Sequence, residues 1–166
     1  MKNINFAFVA ILCIVYTMSS SAQENKRTWG ISASIQETQL DILFPIWTGT
    51  SNIIAPSIGA IYIGDSGTDL RIGLLDRIFF NATENIKPFV GLRAGALISL
   101  PDEGDTVTDY VIGLLGGGEY FFSENFSVGV EAQLNMSISD ENSSRFGNPG
   151  GTNINTATAI FATVYF

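Results

Sequence analysis

The stretch GGEYFFSENFSVGVEAQLNMSIS, residues 117–139, decides the fold. After a short break at Ser123-Glu124-Asn125, apolar side chains occupy Phe126, Val128, Val130, Ala132, Leu134, Met136 and Ile138. Ser127, Gly129, Glu131, Gln133, Asn135 and Ser137 alternate with them, a strict period of two over thirteen residues. Such alternation predicts a long β-strand with one apolar and one polar face. The fold turns on which face points inward. In a soluble sandwich the apolar face is the core, whereas in a transmembrane barrel it meets lipid and the polar face lines the interior.

Outward from this hairpin, the 166-residue chain offers one domain. Residues 1–22 read as a cleaved secretory signal peptide. A charged start at Lys2 precedes the apolar run Ile4 to Met18, and Ser20 and Ala22 are placed for cleavage before Gln23. The run is short for a membrane-spanning helix. The single cysteine, Cys13, lies inside it behind Ala10-Ile11-Leu12, without the small residue that a lipidation site needs just before the cysteine. The remaining domain, 23–166, carries seven Lys/Arg against sixteen Asp/Glu, a net charge of −9. That balance argues against a nucleic-acid partner, since no basic stripe exists to meet phosphates. The chain has no histidine. This removes Ser-His-Asp and Cys-His catalysis and the usual zinc ligand sets, so neither a metal nor another cofactor is expected.

No helical period appears beyond Gln23. Alternation begins at Trp29, Ile31, Ala33 and Ile35, and continues through QLDILFPIW (39–47), IIAPSIGAIYI (53–63) and DLRIGLLDRIFF (69–80). PFVGLRAGALIS (88–99), TDYVIGLLGGGEYFF (108–122), the strand from Phe126 and NINTATAIFATVYF (153–166) follow. Clusters of Gly, Asn, Asp, Ser and Pro separate them. The sum is eight strands, an even number that closes an up-and-down barrel with both chain ends on one side. Strand lengths of about 9–13 residues suit a tilted membrane crossing; soluble sandwich strands are commonly about 5–6. Glycine recurs on the polar face at Gly91, Gly95, Gly113, Gly117 and Gly129, where side chains crowd toward the axis of a narrow barrel. A sandwich core would place large aliphatics there. The expected fold is all-β, an eight-stranded antiparallel up-and-down transmembrane barrel; a secreted soluble β-protein is the competing fold.

GGEYFFSENFSVGVEAQLN, KPFVGLRAGA and the terminal VYF resemble the small outer-membrane β-barrel family, the eight-stranded barrels of OmpX and OmpA membrane-domain size. The resemblance covers residues 28–166 and is one of diffuse pattern, so it speaks to architecture more than to activity. It implies a Gram-negative outer-membrane location with periplasmic termini. It also implies that terminal Phe166, with Val164 and Ile160 behind it, is read by the outer-membrane assembly machinery, although Ala162 and Thr158 are weaker than usual in such a signal. Breaks at 47–52, 81–87 and 122–125 would then be periplasmic, and those near 37–38, 64–68, 100–107 and 139–152 would face outward. Segments 64–69, 101–109 and 139–152 hold Asp65, Asp69, Asp102, Glu103, Asp105, Asp109, Asp140 and Glu141 against one base, Arg145. An acidic rim could meet the divalent cations that bridge lipopolysaccharide, but solvated loops are the simpler expectation. The loop SDENSSRFGNPGGTN (139–153) is flexible by composition, and the 139–152 segment is the candidate contact for an extracellular ligand.

The hairpin can be given a register. A three-residue connection pairs Phe122 with Phe126, with Asn125 suited to a left-handed conformation. Glu119 then faces Gly129, and Glu131 faces Gly117. Arg93 points inward, and Arg71 is assigned there too. An interior network of Glu119, Glu131, Arg93 and Arg71 is expected, with Gln133 and Asn135 extending it, because close buried carboxylates need neutralisation. Paired acids can hydrolyse glycosides, but that requires an open cleft, and barrels of this size are filled by side chains. The fourth strand leaves one choice open. Unbroken alternation from Leu70 turns Asp76 to lipid, while a bulge near Leu74-Leu75 or a place close to the interface would relieve it.

These readings favour a non-enzymatic outer-membrane protein with a structural or cell-surface role, in envelope integrity or adhesion. Outer-membrane lipid and lipopolysaccharide are the expected surroundings. The alternative on the same fold is a narrow, porin-like passage or a barrel that binds a small solute.

Overall fold

The computed structural model describes residues 28–37, 39–62, 67–81, 85–102 and 104–166; the expected signal peptide lies outside them. The described residues form strands β1 (Gly30–Gln36), β2 (Gln39–Leu43), β3 (Ile46–Trp47), β4 (Asn52–Tyr62) and β5 (Thr68–Phe79). Then come β6 (Ile86–Leu100), β7 (Val107–Phe121), β8 (Phe126–Ile138) and β9 (Thr152–Tyr165). Segments β2 and β3 are two halves of one barrel strand. Pro45 has no N–H to give the ladder, yet Leu43 and Pro45 still point in while Phe44 and Ile46 point out. The carbonyl of Pro45 keeps its place in the sheet by accepting from Gly30 N at 2.8 Å.

Neighbouring strands pair antiparallel in the order β2-β1-β9-β8-β7-β6-β5-β4-β3, and the β2–β4 pairing closes the circle into an eight-stranded barrel. Closure leaves no free sheet edge among the described residues. The first and last strands meet from Gly30↔Tyr165 to Gln36↔Ala159. Both described chain ends therefore lie at one rim, the terminal end, with the short connections at 48–51 and 122–125. The far end carries the longer connections, including 139–151.

Alternation sorts the two faces throughout. Ile31, Ile58, Ile72, Leu92, Ile112, Leu114, Leu134 and Ile160 stand exposed on the outside, while Ser32, Arg71, Arg77, Glu119, Glu131, Gln133 and Asn135 are buried inside. Trp29, Phe44, Phe80, Tyr120, Phe122, Phe126 and Phe166 add an exposed aromatic band at the terminal end. Girdles of aromatic residues of this kind flank the apolar band of outer-membrane-type barrels. On β5 the alternation is unbroken, with continuous pairing to β4 and β6, so no bulge occurs and Asp76 points outward between Ile54 and Leu92. It sits near the terminal end of that strand, and the side chain of Asn52 hydrogen-bonds to it.

Interior glycines make room for aromatic rings. A Cβ on Gly129 would lie 2.2 Å from the Phe161 ring, and one on Gly117 would lie 2.7 Å from the ring of Phe89. Gly116 and Gly118, by contrast, sit on the outward face of β7.

Candidate functional site

The terminal half of the interior is closed by a run of rings. Phe121 contacts Tyr165 (centroids 5.9 Å apart), Tyr165 contacts Trp47 (5.9 Å), and Trp47 contacts Phe79 (5.4 Å). Phe79 meets Phe89 (5.5 Å), which meets Phe161 (6.1 Å). Leu43, Ile53, Ala55 and Leu115 complete this apolar cluster. Each ring arises from an inward position near the terminal end of its strand, so the barrel wall itself assembles the plug. Aromatic pairs at these separations contribute roughly 0.5–1.5 kcal/mol each beyond their area burial.

Above the plug lies the central ion pair. Arg77 on β5 reaches Glu131 on β8 with Nε and Nη2 at 3.1 and 2.9 Å from Oε2, and each side chain is only 2% exposed. The guanidinium also lies 3.9 Å from the Phe161 ring centroid and 4.9 Å from that of Phe89. The pair is thus clamped between the two rings that Gly129 and Gly117 admit.

The residues expected to form one network are distributed over three groups. Glu131, Gln133, Arg93 and Asn135 are brought together: Gln133 donates to Glu131 Oε1 at 2.7 Å, Arg93 donates to Gln133 Oε1, and Asn135 donates to that same oxygen at 3.3 Å. Arg71 stands apart, paired with Asp41 at 2.9 Å and donating to the Leu40 carbonyl at 3.1 Å. Glu119 stands apart as well. Its carboxylate accepts from Ser127 and, at 2.9 Å, from the Tyr165 hydroxyl, in a fully buried site. Opposite it on β6 is Lys87, whose ammonium lies over the rings of Phe121 and Trp47. The two glutamates face Gly129 and Gly117 across the β7–β8 ladder, yet each turns to its own set of partners.

Arg77, the central base, was not among the expected residues. Its signal was the phase of strand β5: if Asp76 points out, Arg77 points in. Asp41, Lys87 and Tyr165 were missed because their partners come from strands distant in sequence. The hairpin connection also differs in one detail. Among the described residues only Glu37 combines a side chain with a positive φ (55°), so Asn125 is not left-handed. It spends its amide instead on the Tyr165 carbonyl at 2.9 Å.

At the far end the rim is less acidic than its sequence suggests, because Asp69 and Asp109 turn inward. Arg145, from the 139–151 loop, bonds Asp69 at 2.9 Å, Asp109 at 3.1 Å and Ser99 at 2.6 Å. Asp109 also accepts from Ser143 at 2.7 Å and from the Asp140 backbone at 2.9 Å. A loop expected to be flexible by composition is thereby tied into the mouth. Asp65 and Glu103 lie outside the described residues. All five described bases, Arg71, Arg77, Lys87, Arg93 and Arg145, are accounted for within the barrel or its mouth.

Beneath this loop is a cavity of about 320 Å³ lined by Gln36, Asp41, Arg71, Arg93, Asn135 and Arg145, among others. A smaller void of about 30 Å³ continues toward Arg77 and Glu131. The chamber ends at the ion pair and the aromatic plug. At the opposite rim, Phe166, Val164 and Ile160 are all exposed on the outer face of β9, and Phe166 stacks on Trp29 with centroids 4.7 Å apart.

No protein-family model and no curated protein sequence matches the chain. Among solved structures it is similar to the N-terminal β-barrel domain of Pseudomonas aeruginosa OprF, with a TM-score of 0.53 and 14% identity over 83% of this chain and 95% of that one. Neisserial surface protein A gives a TM-score of 0.54 and 15% identity, over 83% of this chain and 93% of its own. At such identities the likeness is one of fold: a closed, eight-stranded antiparallel barrel.

Proposed function

We propose that this chain is an outer-membrane β-barrel with a structural or cell-surface role. The observation that carries the reading is the sorting of the two faces. An apolar, aromatic-banded exterior surrounds an interior where Arg, Glu, Gln and Asn are hydrogen-bonded, the arrangement a lipid-embedded barrel requires. The solved barrels it resembles include a protein named as a surface protein. The termini lie on the periplasmic side, and the 139–151 loop faces outward as the candidate contact for an extracellular ligand. Exposed Phe166, Val164 and Ile160 on the last strand act as the assembly signal. Lipid and lipopolysaccharide surround the barrel. The role is non-enzymatic, a view supported by the absence of histidine from the sequence.

Gel mobility of the chain 23–166 refolded into detergent tests this reading. The expected result is a shift between unboiled and boiled samples. A water-soluble protein without a shift would overturn it.

A through-passage is disfavoured by the aromatic run from Phe121 to Phe161 and by the Arg77–Glu131 pair above it. In planar bilayers the folded chain should give no discrete conductance steps, and regular single-channel openings would restore the pore reading.

A further inference from the structure

The two halves of the interior differ in kind. The terminal half is packed with rings, whereas the far half holds a cavity of about 320 Å³. That space lies at the lower end of the roughly 300–1,000 Å³ typical of small-molecule sites. Its roof is Arg145 and Phe146 from the 139–151 loop.

Three guanidinium groups line this one chamber: Arg71 on the wall, Arg93 toward the floor, where it also borders the smaller void, and Arg145 at the roof. Their compensation is unequal. Arg145 is held by Asp69 and Asp109, and Arg71 by Asp41. Among the described residues Arg93 donates to amide oxygens, those of Gln133 and, at 3.4 Å, Gln36, and makes no direct ion pair. The chamber also contains polar atoms without a bonding partner. Nε and Nη1 of Arg71 are among them, donors that an oxyanion can meet.

A guanidinium held away from bulk water without a direct ion pair is costly, even with the Glu131 and Asp41 charges acting on it from farther off, and a counter-charge that reaches it is correspondingly favoured. The guanidinium plane matches an oxyanion specifically, offering two parallel N–H donors to two oxygens. We propose that the far half of the barrel is a binding chamber for a small oxyanion, a carboxylate or phosphate, received by Arg93 beneath the Arg145 roof. This goes beyond a structural role for the barrel. The chamber dead-ends at the Arg77–Glu131 pair, so the solute is held rather than passed through.

The test is calorimetric titration of the detergent-refolded chain, with its folding checked first by gel mobility. Succinate and inorganic phosphate are the probes, and glucose is the neutral control. Saturable binding of either oxyanion, with none for glucose, is expected, and the one that binds identifies the oxyanion class. Arg93→Gln should weaken it at least tenfold while the mobility shift persists, and Arg93→Lys should recover part of the loss. If Arg93→Gln does not refold, the guanidinium ¹⁵N resonance of Arg93 in the unaltered chain replaces it, and this resonance should move on titration. A folded barrel that saturates with neither oxyanion, binds glucose equally, or binds unchanged after Arg93→Gln would overturn the proposal. Loss of the mobility shift in the unaltered chain would instead count against the barrel reading itself.

Discussion

Arg77 and Glu131 meet across the barrel interior from strands that are not neighbours, β5 and β8, with Nη2 2.9 Å from Oε2 and the guanidinium resting on the Phe161 ring. This contact ties opposite walls together above the aromatic plug. Both groups are withdrawn from solvent, so each is viable only because the other is present. Arg77→Met should cost about 3–5 kcal/mol, since it leaves the Glu131 carboxylate buried and unpaired. The double variant Arg77→Met with Glu131→Leu should recover much of that loss, because apolar replacement of a whole buried pair is often close to neutral. Urea unfolding in lipid vesicles, followed by tryptophan fluorescence, measures both. Equal losses in the single and double variants would refute the coupling.

Gly129 and Phe161 face each other across the β8–β9 ladder, and the ring occupies the space a side chain at 129 would need. Gly129→Ala should therefore destabilise by about 1–3 kcal/mol through overpacking. The loss should shrink when Phe161→Leu is added, since the smaller side chain vacates the contact. An effect of Gly129→Ala that is unchanged by Phe161→Leu would point to backbone strain rather than the ring.

What the sequence made legible follows from distance along the chain. The β8 alternation, the Phe122–Phe126 connection and the pairing of Glu119 with Gly129 and Glu131 with Gly117 are local, set by a period of two and a three-residue turn. Whether Glu131 meets Arg77, Arg93 or Arg71 depends on strand tilt and stagger around the whole barrel, which no local pattern encodes. Arg77 was hidden further by its neighbour. Asp76 made the phase of β5 past Leu74 ambiguous, because unbroken alternation places Asp76 outside, whereas a bulge near Leu74-Leu75 would place Arg77 there. Asp69 and Asp109 read as rim acids because they flank loops, but their strands still alternate at those positions and turn both inward to meet Arg145.

Asp76 is the one charged side chain that β5 presents to the outer face, beside Ile54 and Leu92. Asp76→Leu exchanges its bond with Asn52 for apolar contact with the surrounding acyl chains. A charged group on a barrel's lipid face costs about 2–4 kcal/mol at the midplane for Arg or Lys, less for Asp, and about 0–1 kcal/mol near the interfaces. Because Asp76 lies near the terminal end, the expected gain from Asp76→Leu is about 1 kcal/mol in vesicles. A loss of stability would mean that the Asn52 bond outweighs lipid contact and that the site is effectively aqueous.

Arg145 fastens the 139–151 loop through Asp69, Asp109 and Ser99, while Ser143 and the Asp140 backbone bind Asp109 from the same loop. Arg145→Gln removes two ion pairs and leaves Asp109, itself fully buried, with neutral donors only. The loop should then open more often. Each 1.4 kcal/mol lost from the closed state corresponds to roughly a tenfold rise in the open fraction. Limited chymotrypsin digestion of the folded barrel reads this directly, because Phe146 adjoins the latch. Cleavage after Phe146 should accelerate about tenfold in Arg145→Gln, with the gel-mobility shift of the uncut barrel unchanged. Asp109→Asn should act in the same direction, since a neutral amide keeps the shape but not the ion pair. Equal cleavage rates in all three chains would mean that the backbone of the loop, rather than Arg145, holds it over the chamber.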